Sequence, residues 1–307
     1  MFSHALRSLA VFLCVVALGE SALAAACHNP HALGVSRVIS VDARATPVVG
    51  VQDYGVRLPL APGEVVLTFD DGPNPASTPS ILKTLSDECL RATFFMVGRQ
   101  ARAHPGTARQ VLAAGHTIGT HTQNHPLHRL PLNGEVREIE TGIASVTAAL
   151  GRHPAPFFRF PGLYRTREAE RYLNEHGIVV WSIDIDSYDW KHNDATAMLN
   201  STVTRLEHRH GGILLMHDVK PRTARVLPKL IVMLKAHGFR IVHVVPRGSY
   251  PAGLIARSYR HSPDVVMTPT RTEKIARHDN DAPVAAKRSL VAKTSFNQIF
   301  SGNTRER

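Results

Sequence analysis

Aromatic residues are scarce in this chain, at 6% of the total, and they do not interleave with its basic residues. Helix-turn-helix and zinc-finger patterns are absent as well. The excess of 36 Lys and Arg over 25 Asp and Glu therefore does not point to nucleic acid. No internal repeat marks a solenoid or a propeller. A long hydrophobic run is also missing, because the apolar stretch Leu9–Leu18 is too short for a membrane span. That stretch follows Arg7 and precedes Ala22-Leu23-Ala24, a small-x-small cleavage pattern. Residues 1–24 thus read as a signal peptide, and the mature chain is expected to be secreted or periplasmic with no integral membrane span. Lipoprotein anchoring at Cys27 is the lesser alternative, since Ala24 stands where such signals usually carry Leu. Cysteine is nearly absent. Of three, Cys14 leaves with the signal, and the remaining pair, Cys27 and Cys89, is expected to form one disulfide in an oxidising compartment.

What is present is enough for one large core. The chain has 307 residues, 43% of them hydrophobic. The net charge of +11 reads first as a solvated surface and second as attraction to an anionic envelope or acidic glycan. Residues 25–62 mix Pro, Gly and scattered valines and read as an irregular N-terminal extension. From residue 64 short β-rich runs alternate with helical patterns. The expected strands are Val65–Phe69, Ala92–Val97, His116–Thr120, Phe157–Phe160, Ile178–Ile185, Ile213–Met216 and Phe239–Val245. Helices closed by glycine separate them. This predicts an α/β fold, a (β/α) barrel of about seven parallel strands with chemistry at the strands' C-terminal ends. The pattern stops near Pro246. Residues 257–307 carry ten Lys or Arg against five Asp or Glu and few large apolar side chains. Residues 249–307 are therefore expected to be a basic, disordered tail.

Three strand ends carry unusual chemistry. Asp70 and Asp71 sit side by side after an apolar strand, where they repel each other unless a cation or donor compensates; capping the Gly72-Pro73 turn is the plainer reading. His121 and His125 are spaced so that a helical turn would place both on one face, able to grip one metal ion. With Asp71 they make a ligand set that leaves positions open for water and substrate, as catalytic rather than structural metal sites do. His217 ends a strand, in place for proton transfer. Asp184, Asp186 and Asp189 follow another strand, and one of them is expected to pair with an imidazole. Arg159, flanked by Phe158 and Phe160, needs a carboxylate, with Asp70 the natural candidate.

In order, Thr68-Phe69-Asp70-Asp71-Gly72-Pro73-Asn74, His121-Thr122-Gln123-Asn124-His125, Arg159-Phe160-Pro161-Gly162, Asp186-Ser187-Tyr188-Asp189-Trp190 and Leu215-Met216-His217-Asp218 resemble the five motifs of the polysaccharide deacetylases of carbohydrate esterase family 4, the NodB-homology group. The resemblance covers about residues 60–248 and implies a distorted barrel, with a catalytic domain at 63–248. It implies Asp70 as catalytic base, Asp71, His121 and His125 as ligands of Zn2+ or another divalent cation such as Co2+, and His217 as catalytic acid. It assigns Asp186 to tune His217, and Trp190 and Leu215 to line the pocket for the acetyl methyl. The Gly162 N–H is implied to hold the oxyanion, although the family usually has a bulky residue there. Asp184 rivals Asp186, and Arg91 rivals Arg159 as partner of Asp70. The implied partner is an N-acetylated glycan, handled by a monomer. Removal of O-acetyl groups from a polysaccharide such as xylan is the alternative chemistry, and a catalytically silent glycan-binding protein is the alternative of another class.

Overall fold

In the computed structural model, which describes residues 29–191 and 194–247, the elements follow in the order β1 (Val35–Val41), β2 (Val48–Val49), α1 (Val51–Tyr54), β3 (Glu64–Asp70), α2 (Thr78–Asp87), β4 (Thr93–Met96), α3 (Gly98–Ala103), α4 (Pro105–Ala113), β5 (Thr117–Thr120), α5 (Leu132–Leu150), β6 (Phe157–Phe158), α6 (Arg167–Glu175), β7 (Val179–Trp181), β8 (Ile185–Asp186), α7 (Ala195–Arg209), β9 (Gly211–His217), α8 (Pro221–Ala236) and β10 (Arg240–Pro246). The signal, Cys27 and the basic tail lie outside the described residues. Among the described residues no helix is long and apolar enough to cross a membrane.

All ladders between these strands are parallel. β3 is buried on both faces, which is why it reads as an unbroken apolar run. Its alternate residues divide two environments. Val65, Leu67 and Phe69 face the helices, in one core with Leu85, Val146 and Leu230. Val66 belongs to a second core with Phe95, Phe157, Trp181 and Ile213 from neighbouring strands, the packed interior of the barrel.

The barrel closes through a break in the strand expected at Ile178–Ile185. β7 pairs with β6, whereas β8 pairs with β9, and β9 pairs with β3. Between them the Ser182 N–H donates to the Val49 carbonyl at 2.7 Å and the Asp184 N–H to the Ile213 carbonyl at 3.0 Å, so the chain changes partners in three residues. The expected strand at Phe157–Phe160 is shorter and stops at Phe158.

The segment expected to be irregular is part of the barrel wall. β1 lies beside β10, and β2 lies beside β7. Gly50 follows β2 with φ 107° and sits so close to Ser182 that a Cβ would fall 2.5 Å from the Ser182 carbonyl carbon. Only glycine allows that approach. Asp184 locks the same junction. Its carboxylate accepts the Val51 N–H at 2.7 Å and the Ile213 N–H at 2.8 Å, tying the N-terminal segment to β9. Asp184→Ala leaves two backbone donors without partners and is expected to lower unfolding free energy by about 2–5 kcal/mol. Urea denaturation measures this, and unchanged stability would show that Asp184 does not carry the junction.

Candidate active site

Parallel pairing of β3 with β9 sets Asp70 directly opposite His217 at the C-terminal end of the barrel. Because Asp70 shares the inward phase of Val66, its carboxylate points into the barrel mouth and is 3% exposed. Arg159, fully buried, reaches it from the segment after β6, with Nη1 donating to Asp70 Oδ1 at 2.8 Å. The same guanidinium donates to Thr68 Oγ1 and the Ser182 carbonyl and lies over the Phe95 ring, 4.3 Å from its centroid. Arg91 is not the partner. It precedes β4, at the opposite end of the strands from Asp70, and donates to the Leu90 carbonyl.

Asp71 follows with φ 78°, a left-handed turn that swings its side chain away from Asp70. Its Oδ1 lies 3.5 Å from His121 Nε2 and 3.0 Å from His125 Nε2. One ligand atom from each of the three residues falls within 4.8 Å of the others. Asp71 Oδ1 is buried and has no hydrogen bond of acceptable geometry, as expected of an oxygen aimed at a cation. His121 Nδ1 meets the Arg159 carbonyl at 2.6 Å, which places the proton on Nδ1 and leaves the Nε2 lone pair for a metal. Burial alone would raise the Asp71 pKa, but the two imidazoles outweigh it and hold the carboxyl well below the usual range. These donors fit a divalent ion of borderline softness.

The two imidazoles do not share a helical turn, as their spacing suggested. Thr122 and His125 both have positive φ, at 62° and 60°, so the loop after β5 is irregular. Glu138 on α5 holds it, accepting from the Gln123 and Asn124 N–H groups and from Asn124 Nδ2. Glu138 escaped sequence reading because it lies in an ordinary amphipathic helix.

The partner of His217 is Asp189, not Asp186 or Asp184. Asp189 Oδ1 meets His217 Nδ1 at 2.7 Å, while its Oδ2 accepts the His217 N–H and the Thr223 hydroxyl. The physical reason is the turn at Tyr188, whose φ of 54° folds Asp189 back under the end of β9. Asp186 precedes that turn and faces the Tyr188 N–H and the Trp190 indole instead. Asp184 is held at the β9 junction described above. Burial would lower the His217 pKa, but the hydrogen bond and charge of Asp189, helped by Asp71 and Asp70, push it up to about 9.

Leu215 is buried in β9, in register with Asp186, and Trp190 is half exposed beyond it. Gly162 has φ 57° and is exposed; where a Cβ would stand, the Tyr164 ring and Leu127 lie 3.0 and 3.1 Å away. Those side chains occupy the room a bulky residue would need. Asp218, fully buried, accepts from Thr78 Oγ1 at 2.6 Å, and its carbonyl accepts from Ser77 Oγ. It pins the loop carrying Asp70 and Asp71 to the start of α2. Its neighbour His217 drew the sequence reading, and nothing in the spacing marks Asp218 itself.

The sequence profile of the polysaccharide deacetylase family matches residues 58–181. A peptidoglycan-N-acetylglucosamine deacetylase of Bacillus cereus is 33% identical over 187 residues, 59% of this chain and 85% of that protein. A chitooligosaccharide deacetylase of Bradyrhizobium is 30% identical over 198 residues, 60% of this chain and 89% of the relative. Other peptidoglycan relatives are longer: the chain spans 66% of one from Bacillus cereus and 38% of one from Listeria monocytogenes. Among solved structures, a peptidoglycan deacetylase of Bdellovibrio bacteriovorus superposes with a TM-score of 0.65 at 27% identity, covering 74% of this chain and 63% of its own. With its parallel barrel, its motif residues gathered at one mouth and these likenesses, the chain belongs to the polysaccharide deacetylase family.

Proposed function

We propose that the protein is a metal-dependent hydrolase that removes N-acetyl groups from an N-acetylglucosamine-containing polysaccharide or oligosaccharide. One observation carries the reading: Asp70 and His217 stand opposite each other beside the Asp71, His121 and His125 cluster, each with its own charged partner, Arg159 or Asp189. A bound zinc or cobalt ion would polarise the acyl carbonyl and acidify a water. Asp70, oriented by Arg159, accepts the proton as water attacks. The resemblance assigns the Gly162 N–H to the developing oxyanion, where a backbone donor would act as a fixed dipole. His217, kept cationic by Asp189, donates its proton to the leaving nitrogen, which is too basic to depart as an anion. Relatives named for peptidoglycan N-acetylglucosamine and for chitooligosaccharides support an N-acetylglucosamine-containing glycan as substrate. Acetate release from a panel of such glycans and of O-acetylated xylan tests it. Release from xylan alone would replace the amide with the ester, and no release from any glycan would leave a binding protein.

Chelation is expected to abolish activity, and zinc or cobalt to restore it. Asp70→Asn should cut turnover roughly 10²- to 10⁴-fold while retaining metal, as should His217→Ala. Asp71→Asn should lose the metal itself. Metal content measured beside activity decides this: full activity in verified metal-free protein sinks the mechanism.

The proton inventory predicts a pH signature. His217 must be protonated to donate, so activity falls as pH rises through its raised pKa. Asp189→Asn removes the charge that raises it, and the basic limb of kcat/KM should move to lower pH. A limb that stays in place would show that another group is the acid.

We also propose export, on the strength of the N-terminal signal, and the disulfide between Cys27 and Cys89. Asn29 Nδ2 donates to the Asp87 carbonyl, Leu33 N–H to Glu88 Oε2 and Gly34 N–H to the Glu88 carbonyl. The chain just after Cys27 is thereby held against the residues just before Cys89. Closing that loop contributes about 4 kcal/mol by chain entropy. Intact mass of the exported protein, with alkylation before and after reduction, should reveal two thiols only after reduction. A diacylglycerol mass on Cys27 would instead establish lipid anchoring.

A further inference from the structure

Two acids bracket the Ser187-Tyr188 turn, and they do different things. Asp189 turns inward to His217. Asp186 directs both of its oxygens along its own loop: Oδ1 accepts the Tyr188 N–H at 2.7 Å, and Oδ2 accepts the Trp190 indole N–H at 3.2 Å. The base of this loop is firm. The Ser187 N–H donates to the Leu215 carbonyl at 3.1 Å, and the Arg205 guanidinium covers the Tyr188 ring. Trp190 at its tip is not held by the core, since 51% of its surface is exposed. Its ring meets Tyr188 edge-on at 6.1 Å, and the bond to Asp186 is its directional restraint.

We infer that Asp186 is a positioning residue that fixes the Trp190 indole as one wall of the acyl pocket and so sets which acyl groups the enzyme accepts. The pocket rests on the N-acyl hydrolase reading; the tether between Asp186 and the indole does not. The chemistry requires a carboxylate. Two N–H donors approach two different oxygens, and an asparagine offers only one acceptor oxygen. Asp186→Asn therefore keeps one of the two bonds, and Asp186→Ala keeps neither. An indole free to swing no longer bounds the pocket, and a longer acyl chain is penalised less. One methylene in a tight apolar pocket changes kcat/KM about tenfold or more, which sets the discrimination open to loss.

The test uses the full chain. Its two tryptophans are Trp181, 1% exposed, and Trp190, so acrylamide quenching of fluorescence reports Trp190. Asp186→Ala is expected to raise the quenching constant and to narrow the preference for N-acetyl over N-propionyl glucosamine oligomers by about threefold or more. KM should rise more than kcat falls. The basic limb of the pH profile should move less than in Asp189→Asn, because Asp186 makes no hydrogen bond to His217 and acts on it through charge alone. Asp186→Asn should give an intermediate result and serves as the second variant if the alanine protein does not fold. Quenching reads the tether even in a chain without hydrolase activity, so loss of the functional reading and loss of this inference are separable. Parental quenching and parental acyl preference in Asp186→Asn and Asp186→Ala, or a basic limb displaced as far as in Asp189→Asn, would overturn the inference.

Discussion

Arg159 has no solvent exposure, yet its guanidinium lies 2.8 Å from Asp70 in the interior of the barrel. An arginine so placed is tolerable only because Asp70, Thr68 and the Ser182 carbonyl receive its protons and the Phe95 ring receives its face. Removing one member of such a pair typically destabilises by about 3–5 kcal/mol, since it strands a buried charge. The carboxylate assigned to take a proton is therefore also a structural counterion. Both strand ends, the β7–β8 break and the loop after β5 are arranged around it: His121 binds the Arg159 carbonyl, and Ser182 lies at the break.

Much of this was legible in the linear chain because the relevant signals are periodic or local. Unbroken apolar runs gave away the buried parallel strands, and glycine closures separated the helices. Asp71, His121 and His125 were recognisable because metal ligation demands those side chains together. Arg159 was found by the electrostatic cost of leaving it unpaired, and Asp70 was its natural candidate, with Arg91 left as a rival until the structure placed it at the other end of the strands. What failed to show depends on backbone turns that any sequence statistic averages over. The loop from His121 to His125 looked like a helical turn, and two left-handed residues made it something else. β2 stayed hidden because two residues cannot display an alternation, and β1 because only Ile39 and Val41 of its seven residues are buried, with Val38 on the exposed side.

The aspartates after β7 show the same limit more sharply. Asp184, Asp186 and Asp189 are chemically identical and lie within six residues of one another. Their fates diverge because each occupies a different point of a folded-back loop. Asp184 fastens the N-terminal segment to β9, Asp186 accepts from Tyr188 and Trp190, and Asp189 meets His217. Composition and spacing could say only that one of them finds an imidazole. Tyr188 at φ 54° makes the selection.

The pairing of β1 with β10 has a kinetic meaning. In the sheet order β1 neighbours β10 alone, and the Ser36 hydroxyl reaches the Ile241 carbonyl across 205 residues of sequence. Among the described residues, the first strand to emerge from the ribosome is thus the last to find its ladder, because its mate is the final one. Contacts of such separation form late, after the entropy of closing the intervening chain has been met by the rest of the fold. Until β10 arrives, β1 is an unpaired strand. The N-terminal edge of the sheet is therefore completed by the C-terminal end of the domain.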